Sequence, residues 1–130
     1  MIEQGFVELI QSNAAVKAIA AEGGFLAQLP SDLALPSWSY LVVSEVSGSL
    51  LSGPETLGSR RIQVDCYGAT ADDTLALAAA IDAVLDGYRG TLTDPDATFV
   101  QGIFHLNTID IFDPDARSFR RMLEYFVWSG

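Results

Sequence analysis

The stretch from Ser59 to Gly90, SRRIQVDCYGATADDTLALAAAIDAVLDGYRG, constrains the fold most, because its hydrophobic period changes once, from that of a strand to that of a helix. From Arg61 to Tyr67, Ile62, Val64 and Cys66 fall on one face of an extended chain, and Arg61, Gln63, Asp65 and Tyr67 fall on the other. That alternation predicts a half-buried strand. After Gly68, Thr70 can accept from the free N–H groups of a helix start, and Asp73 three residues on completes a capping-box pattern that suits the positive end of the helix dipole. A helix is predicted to begin near Ala71. Leu75, Ala78, Ile81, Val84 and Leu85 recur at spacings of three and four and form its apolar stripe, which ends at Gly87, a natural left-handed cap. Strand and helix can close one core between them.

The flanking segments supply the rest of that core. Residues Ile2 to Ala21 read as helical, with Ile2, Phe6, Leu9, Ile10, Val16 and Ile19 on the buried side, and Ser12 with Asn13 breaks the pattern where a second cap can form. The segment from Gly23 to Pro36 has turn chemistry and no period. Trp38 to Val46 is aromatic and β-branched and predicts a strand with Trp38, Tyr40, Val42, Ser44 and Val46 on one face. A Gly- and Ser-rich loop follows to Ser59. Beyond the helix, Phe99 to Phe112 predicts a long strand with a bulge at Gly102, Asp113 to Ala116 a turn, and Arg117 to Trp128 a last strand apolar on both faces. Such a strand is either central and covered or lies at a subunit contact. The expected architecture is α+β in one domain over residues 1–130, in the order α-β-β-α-β-β. About four mainly antiparallel strands would carry helices mostly on one face.

Composition bounds the function classes. A chain of 130 residues can build a core without disulfide or metal staples, and no apolar run reaches the roughly 18 residues of a membrane span. With Glu3 and Glu8 where a basic, then apolar, leader would stand, the cytoplasm is the expected site of synthesis and no membrane partner is expected. The net charge of −10 argues against generic nucleic-acid binding, since Lys and Arg supply most of that affinity. It also lets a protein sit beside a DNA path without gripping it. The single cysteine, Cys66, lies on the apolar strand face and reads as a small buried hydrophobe.

No constellation for chemistry emerges. The repeated Asp94-Pro95-Asp96-Ala97 and Asp113-Pro114-Asp115-Ala116 segments read as turns before they read as Ca²⁺ loops, because Asp then Pro suits a type I turn and further acidic ligands are missing. Asp72 and Asp73 mark a helix start, and His105, the only histidine, stands in a strand without a partnered nucleophile. Phosphate loops, a nucleophile elbow and zinc spacing are all missing from the sequence. No catalytic, cofactor or metal site is therefore assigned, and no enzyme activity is expected. The arginines read either as solvated charge or as directional partners for carboxylates on a neighbouring subunit. Trp38 and Trp128 read first as core and second as interface anchors.

Taken in order, LPSWSYLVVSEVSG, then LGSRRIQVDCYGAT leading into ALAAAIDAVLDGYRG, and finally IDIFDPDARSFRRMLEYFVWSG resemble the phage tail-completion or tail-terminator proteins. The resemblance spans nearly the whole chain. It implies a non-enzymatic virion protein that forms a ring, typically six-fold, at the head-proximal end of a tail. That ring stops tube polymerisation and docks the head connector. The implied partners are further copies of the chain, the tail tube protein and the head-tail connector protein, with DNA passing through the lumen without specific binding. The implied location is the virion tail, with assembly in the bacterial cytoplasm. Carried onto this sequence, Arg60, Arg61, Arg120 and Arg121 become expected ring or tube contacts, the face of Arg61, Gln63, Asp65 and Tyr67 an expected joint, and the Ser49 to Ser59 loop a reach to a neighbour or the tube. A connector or neck ring is the alternative, and a small binding module or enzyme a second one.

Overall fold

A computed structural model of the chain describes residues 2–20, 23–26, 36–47, 58–93, 99–113 and 118–129. The N-terminal helical stretch is split in two, α1 over Ile2–Gln11 and α2 over Ala14–Ile19. Asn13 makes the break: its side-chain oxygen accepts from the N–H groups of Ala15 at 3.0 Å and Val16 at 3.3 Å, restarting the helix from a cap. The strands are β1 (Phe25–Leu26), β2 (Ser37–Ser47), β3 (Gly58–Gly68), β4 (Gly90–Thr91), β5 (Phe99–Asp113) and β6 (Ser118–Ser129). The helix α3 (Ala71–Leu85) joins β3 to β4.

These strands form one sheet in the order β1-β2-β3-β6-β5-β4, antiparallel throughout except for the parallel β1–β2 pair. The α+β class expected from sequence is what the chain adopts. Its four long strands are the expected ones, and the two-residue β1 and β4 are additions, too short to carry a period. The last strand, β6, lies at the centre of the sheet between β3 and β5; Leu123, Tyr125 and Val127 are buried on its helix side, whereas Trp128 on the other face is exposed.

Alternation sorts the sheet. Trp38, Ile62, Val64, Cys66, Ile103, Leu123, Tyr125 and Val127 are buried on the face that packs against Phe6, Ile10, Val16, Leu77, Ala78, Ile81 and Leu85 of the helices. Each such aliphatic side chain contributes about 1.5–3 kcal/mol through burial. Trp38 is held additionally by a bond from its indole N–H to Gln11 Oε1 at 2.8 Å, while the Gln11 amide donates to the Ala20 carbonyl at 2.9 Å. Sheet, α1 and the end of α2 are thereby tied at one point. Trp128, by contrast, is 41% exposed, so the core reading holds for one tryptophan and fails for the other.

The stripe on α3 differs from the expected one. Leu75 is exposed, and Thr74 and Leu77 are buried with Ala78, Ile81 and Leu85. Thr74 can be hidden because its hydroxyl donates to the Thr70 carbonyl at 2.9 Å. A hydrophobicity pattern passes over such a residue, and the inferred face rotates with it. Thr70 caps the helix by accepting from Asp73 N at 3.2 Å, and Gly87 ends it with φ +81°. Two further departures come from bulges. The β2–β3 register shifts between Val42 and Ser44, so Ser44 lies opposite Arg61 and the expected single face through Val46 is broken. In β5 the expected shift next to Gly102 is present, and a second one between His105 and Asn107 makes Leu106 an inserted residue. The expected turns at Asp94–Ala97 and beyond Asp113 and the Ser49–Ser59 loop lie outside the described residues, apart from their ends.

Candidate interaction face of the sheet

The face of the sheet turned away from the helices is built from the odd-numbered residues of β3 and the even-numbered residues of β6. The register sets Arg61 opposite Phe126, Gln63 opposite Glu124, Asp65 opposite Met122 and Tyr67 opposite Arg120. Diagonal neighbours on one face of an antiparallel pair are within reach of long side chains, and two ion pairs exploit this. Arg61 pairs with Glu124, and Arg120 Nη2 stands 3.0 Å from Asp65 Oδ2. Gln63 donates to the same carboxylate at 3.1 and 3.2 Å, and the Arg120 guanidinium lies 5.6 Å from the centre of the Tyr67 ring.

The expected site residues therefore divide. Arg61, Gln63, Asp65, Tyr67 and Arg120 are gathered into one network, whereas Arg60 and Arg121 fall on the helix side of the sheet. Arg121 there binds Asp110 of β5 through two parallel bonds of 2.6 and 2.9 Å. That fork holds the Asp110 carboxyl below its usual range and raises the guanidinium, with burial opposing both shifts. Three of the arginines thus meet carboxylates of their own chain. Within the network Asp65 is only 3% exposed, and Ser37 and Ser39, which stand on the same face of β2, are fully buried. This end of the face is shielded, and Arg61, whose side chain is 49% exposed, is its open member.

The opposite end is apolar. Phe104, Ile109 and Ile111 of β5 stand on the helix-free face opposite Phe126, Met122 and Arg120, with Trp128 beside them across from Gly102. Phe104 is 52% exposed, and Ile109 and Ile111 are exposed as well. On the helix side Phe112 packs on Phe119 with ring centres 4.6 Å apart and is still exposed. The sequence places these residues in one long strand, and period alone does not say which of its sides lies at a sheet edge. The signal was present as large apolar residues on both sides of Asn107-Thr108.

His105 is ringed by polar groups of β5 and α3. His105 Nε2 is 2.7 Å from Thr108 Oγ1 and Nδ1 is 3.4 Å from Asp82, an order that mimics a nucleophile-base-acid triad. Yet Nε2 is also 2.9 Å from the Asn107 carbonyl, which can only accept. The ring is thus held between Asp82 of α3 and its own strand neighbours Asn107 and Thr108. Tyr125 donates to Asp82 at 2.7 Å, and its burial and this bond raise the phenol far above its ordinary value. The group ties α3 to the sheet. Cys66 is wholly buried, with its thiol raised by desolvation first and by the Asp65 charge second, against a lowering by Arg121. Among the described residues no three of His, Cys, Asp and Glu gather as metal ligands, and no helix is long and apolar enough to cross a membrane.

The pattern of a known family, the tail completion protein gp17 family, matches residues 6–129, from the second turn of α1 to the end of β6. The chain belongs to that family. It is a structural tail protein, as the resemblance of its sequence implied. Among solved structures, one chain from a structure titled "Virion of native gene transfer agent (GTA) particle" superimposes with a TM-score of 0.80. The two share 16% sequence identity over 98% of this chain and 93% of the other, which establishes a shared fold. No curated protein matches. As a tail completion family member, the chain has to be read through the surfaces it offers to other proteins.

Proposed function

We propose that this chain, acting as a single domain over residues 1–130, forms a ring at the head-proximal end of a phage-type tail. There it terminates tail-tube polymerisation and presents the docking surface for the head connector. The family match across residues 6–129 carries this reading. Its partners are further copies of itself, the tail tube protein and the connector protein, and it is non-enzymatic. It assembles in the host cytoplasm and ends in the virion. Heterologous contacts that close on themselves generate rings, and a chain of net charge −10 lines a passage that DNA crosses without adhering. Within this reading Arg61, Gln63, Tyr67 and Arg120, steadied by Asp65, form a contact surface on the helix-free face, with Arg60 and Arg121 at the strand ends on the other.

Mixing the purified chain with assembling tail tube protein tests this. Electron micrographs should show tubes that stop growing and carry a ring at one end only. A chain that leaves tube growth unchanged and binds the portal-side ring instead is a connector, and the terminator role then fails.

A further inference from the structure

The β5 edge of the sheet changes character at His105. Up to that point it is covered by its own chain: β4 pairs with Phe99 and Val100, Gly87 N donates to the Ile103 carbonyl at 2.8 Å, and Asp86 accepts from His105 N at 3.0 Å. From Leu106 to Asp113 no strand or backbone partner lies on that side among the described residues. The N–H of Thr108 is engaged by the side chain of neighbouring Asn107 at 2.9 Å. The same open segment carries Leu106 and Phe112, each 51% exposed, with Ile109 and Ile111 at 44% and 40%. A long, apolar, uncovered edge is a template for another strand.

A second stretch of edge has no strand beside it among the described residues. β1 covers β2 only at Ser39 and Tyr40, and from Leu41 to Ser47 no strand pairs on that side among the described residues. Because Ser47 lies in line with Gly58 and Ser129, and Asp113 in line with Ser118 at the other end, the two open segments occupy diagonal corners of the sheet. We infer that the Leu106–Asp113 edge of one copy pairs with the Leu41–Ser47 edge of the next, so that neighbouring subunits continue one another's sheet.

Charge and area both fit a second copy. The open part of β5 has Asp110 countered by Arg121, and the register sets Glu45 of β2 opposite Arg60, so each edge places a cation beside a carboxylate in a chain of net charge −10. The exposed apolar side chains of the open segment, Leu106, Ile109, Ile111 and Phe112, amount to roughly 350 Å², against about 800 Å² per partner in a standard interface. Two unlike edges joined head to tail also supply the heterologous contact a closed ring needs. The inference rests on the ring reading above and adds which strands make the joint.

The full-length chain is examined alone and on purified tail tubes, by sedimentation and by thiol cross-linking. Cys66 is buried and stays silent. With Ile109→Cys and Ser44→Cys in one chain, both on the helix-free face, a short bis-maleimide should yield a ladder of covalent multimers. Ile109→Cys alone should yield none. Ile109→Asp, Ile111→Asp and Thr108→Pro should each weaken self-association at least tenfold while leaving the circular dichroism spectrum and melting temperature near those of the parent. A two-chain product from Ile109→Cys alone would mean that β5 pairs with its own copy, and the inference is then wrong. Variants that still form rings and cap tubes overturn the inference and leave the terminator reading standing. A parent chain that stays monomeric both alone and on tubes removes both.

Discussion

Asp65 shows how one residue can look like surface in a sequence and behave as core in a fold. It lies on the polar side of an alternating strand, yet it is 3% exposed and its charge is met by Arg120 at 3.0 Å and by the Gln63 amide. Removing one partner of a buried pair costs more than the pair contributes, since a charge is left without compensation. Arg120→Met should therefore lower the unfolding free energy by about 2–3 kcal/mol, and Asp65→Leu combined with Arg120→Met should recover part of that loss. Urea titrations of the single and double variants measure this, and an Arg120→Met protein within 0.5 kcal/mol of the parent would contradict it. The Asp110–Arg121 fork is a milder case, because Asp110 is 63% exposed. Its folded carboxyl titrates below its unfolded value, so the stabilisation is full above the ordinary carboxylate range of about 4 and is lost as pH falls through the lowered value. The gap in melting temperature between the parent and Asp110→Asn should be small, on the order of a few degrees or less, constant from pH 6 to neutrality, and should close on acidification. A gap that widens in acid has the wrong sign for this pair.

At the scale of elements, local chemistry fixes the ends and tertiary contacts fix the faces. Gly87 stands at φ +81° at the end of α3, and a Cβ built there would meet nothing within 4 Å. The cost of Gly87→Ala is thus conformational, about 1 kcal/mol, and Gly87→Asn should cost less because Asn tolerates the left-handed region. Thermal melts of the two variants decide it, and equal losses would point to an unforeseen contact instead. The same division explains what could be read from the residues alone. Thr70, Asn13 and Gly87 announce helix ends through their own side chains, or the want of one, and the four long strands announce themselves through period and β-branching. The α3 face was misread at Leu75 because Thr74 is buried by a local bond, and the bulges near Val43 and Leu106 are set by pairing with a distant strand, which period cannot encode. The candidate interface was legible only in part. Arg61, Gln63, Asp65, Tyr67 and Arg120 do share a face, but that β6 rather than β5 is the covered central strand depends on topology, and so does the exposure of Ile109 and Phe112.

For the molecule as a whole, two kinds of contact could hold copies together, and they respond oppositely to salt. If arginines reached carboxylates of a neighbour, added salt would screen those pairs and loosen the assembly. The arginines Arg61, Arg120 and Arg121, however, already meet Glu124, Asp65 and Asp110 of their own chain. With these three engaged, the joint inferred above sets the mutual repulsion of chains that each carry −10 against the burial of apolar strand edges and the pairing of backbone groups. Screening weakens the repulsion and leaves the apolar burial intact. Self-association should therefore strengthen, by a few-fold to tenfold, when ionic strength is raised from about 0.05 M to 0.5 M, a range over which the screening length shrinks from well over 10 Å to about 4 Å. Sedimentation equilibrium at the two salt concentrations reads this directly. Dissociation of rings by salt would return the joint to the arginines, and the exposed β5 edge would then have to face a different partner.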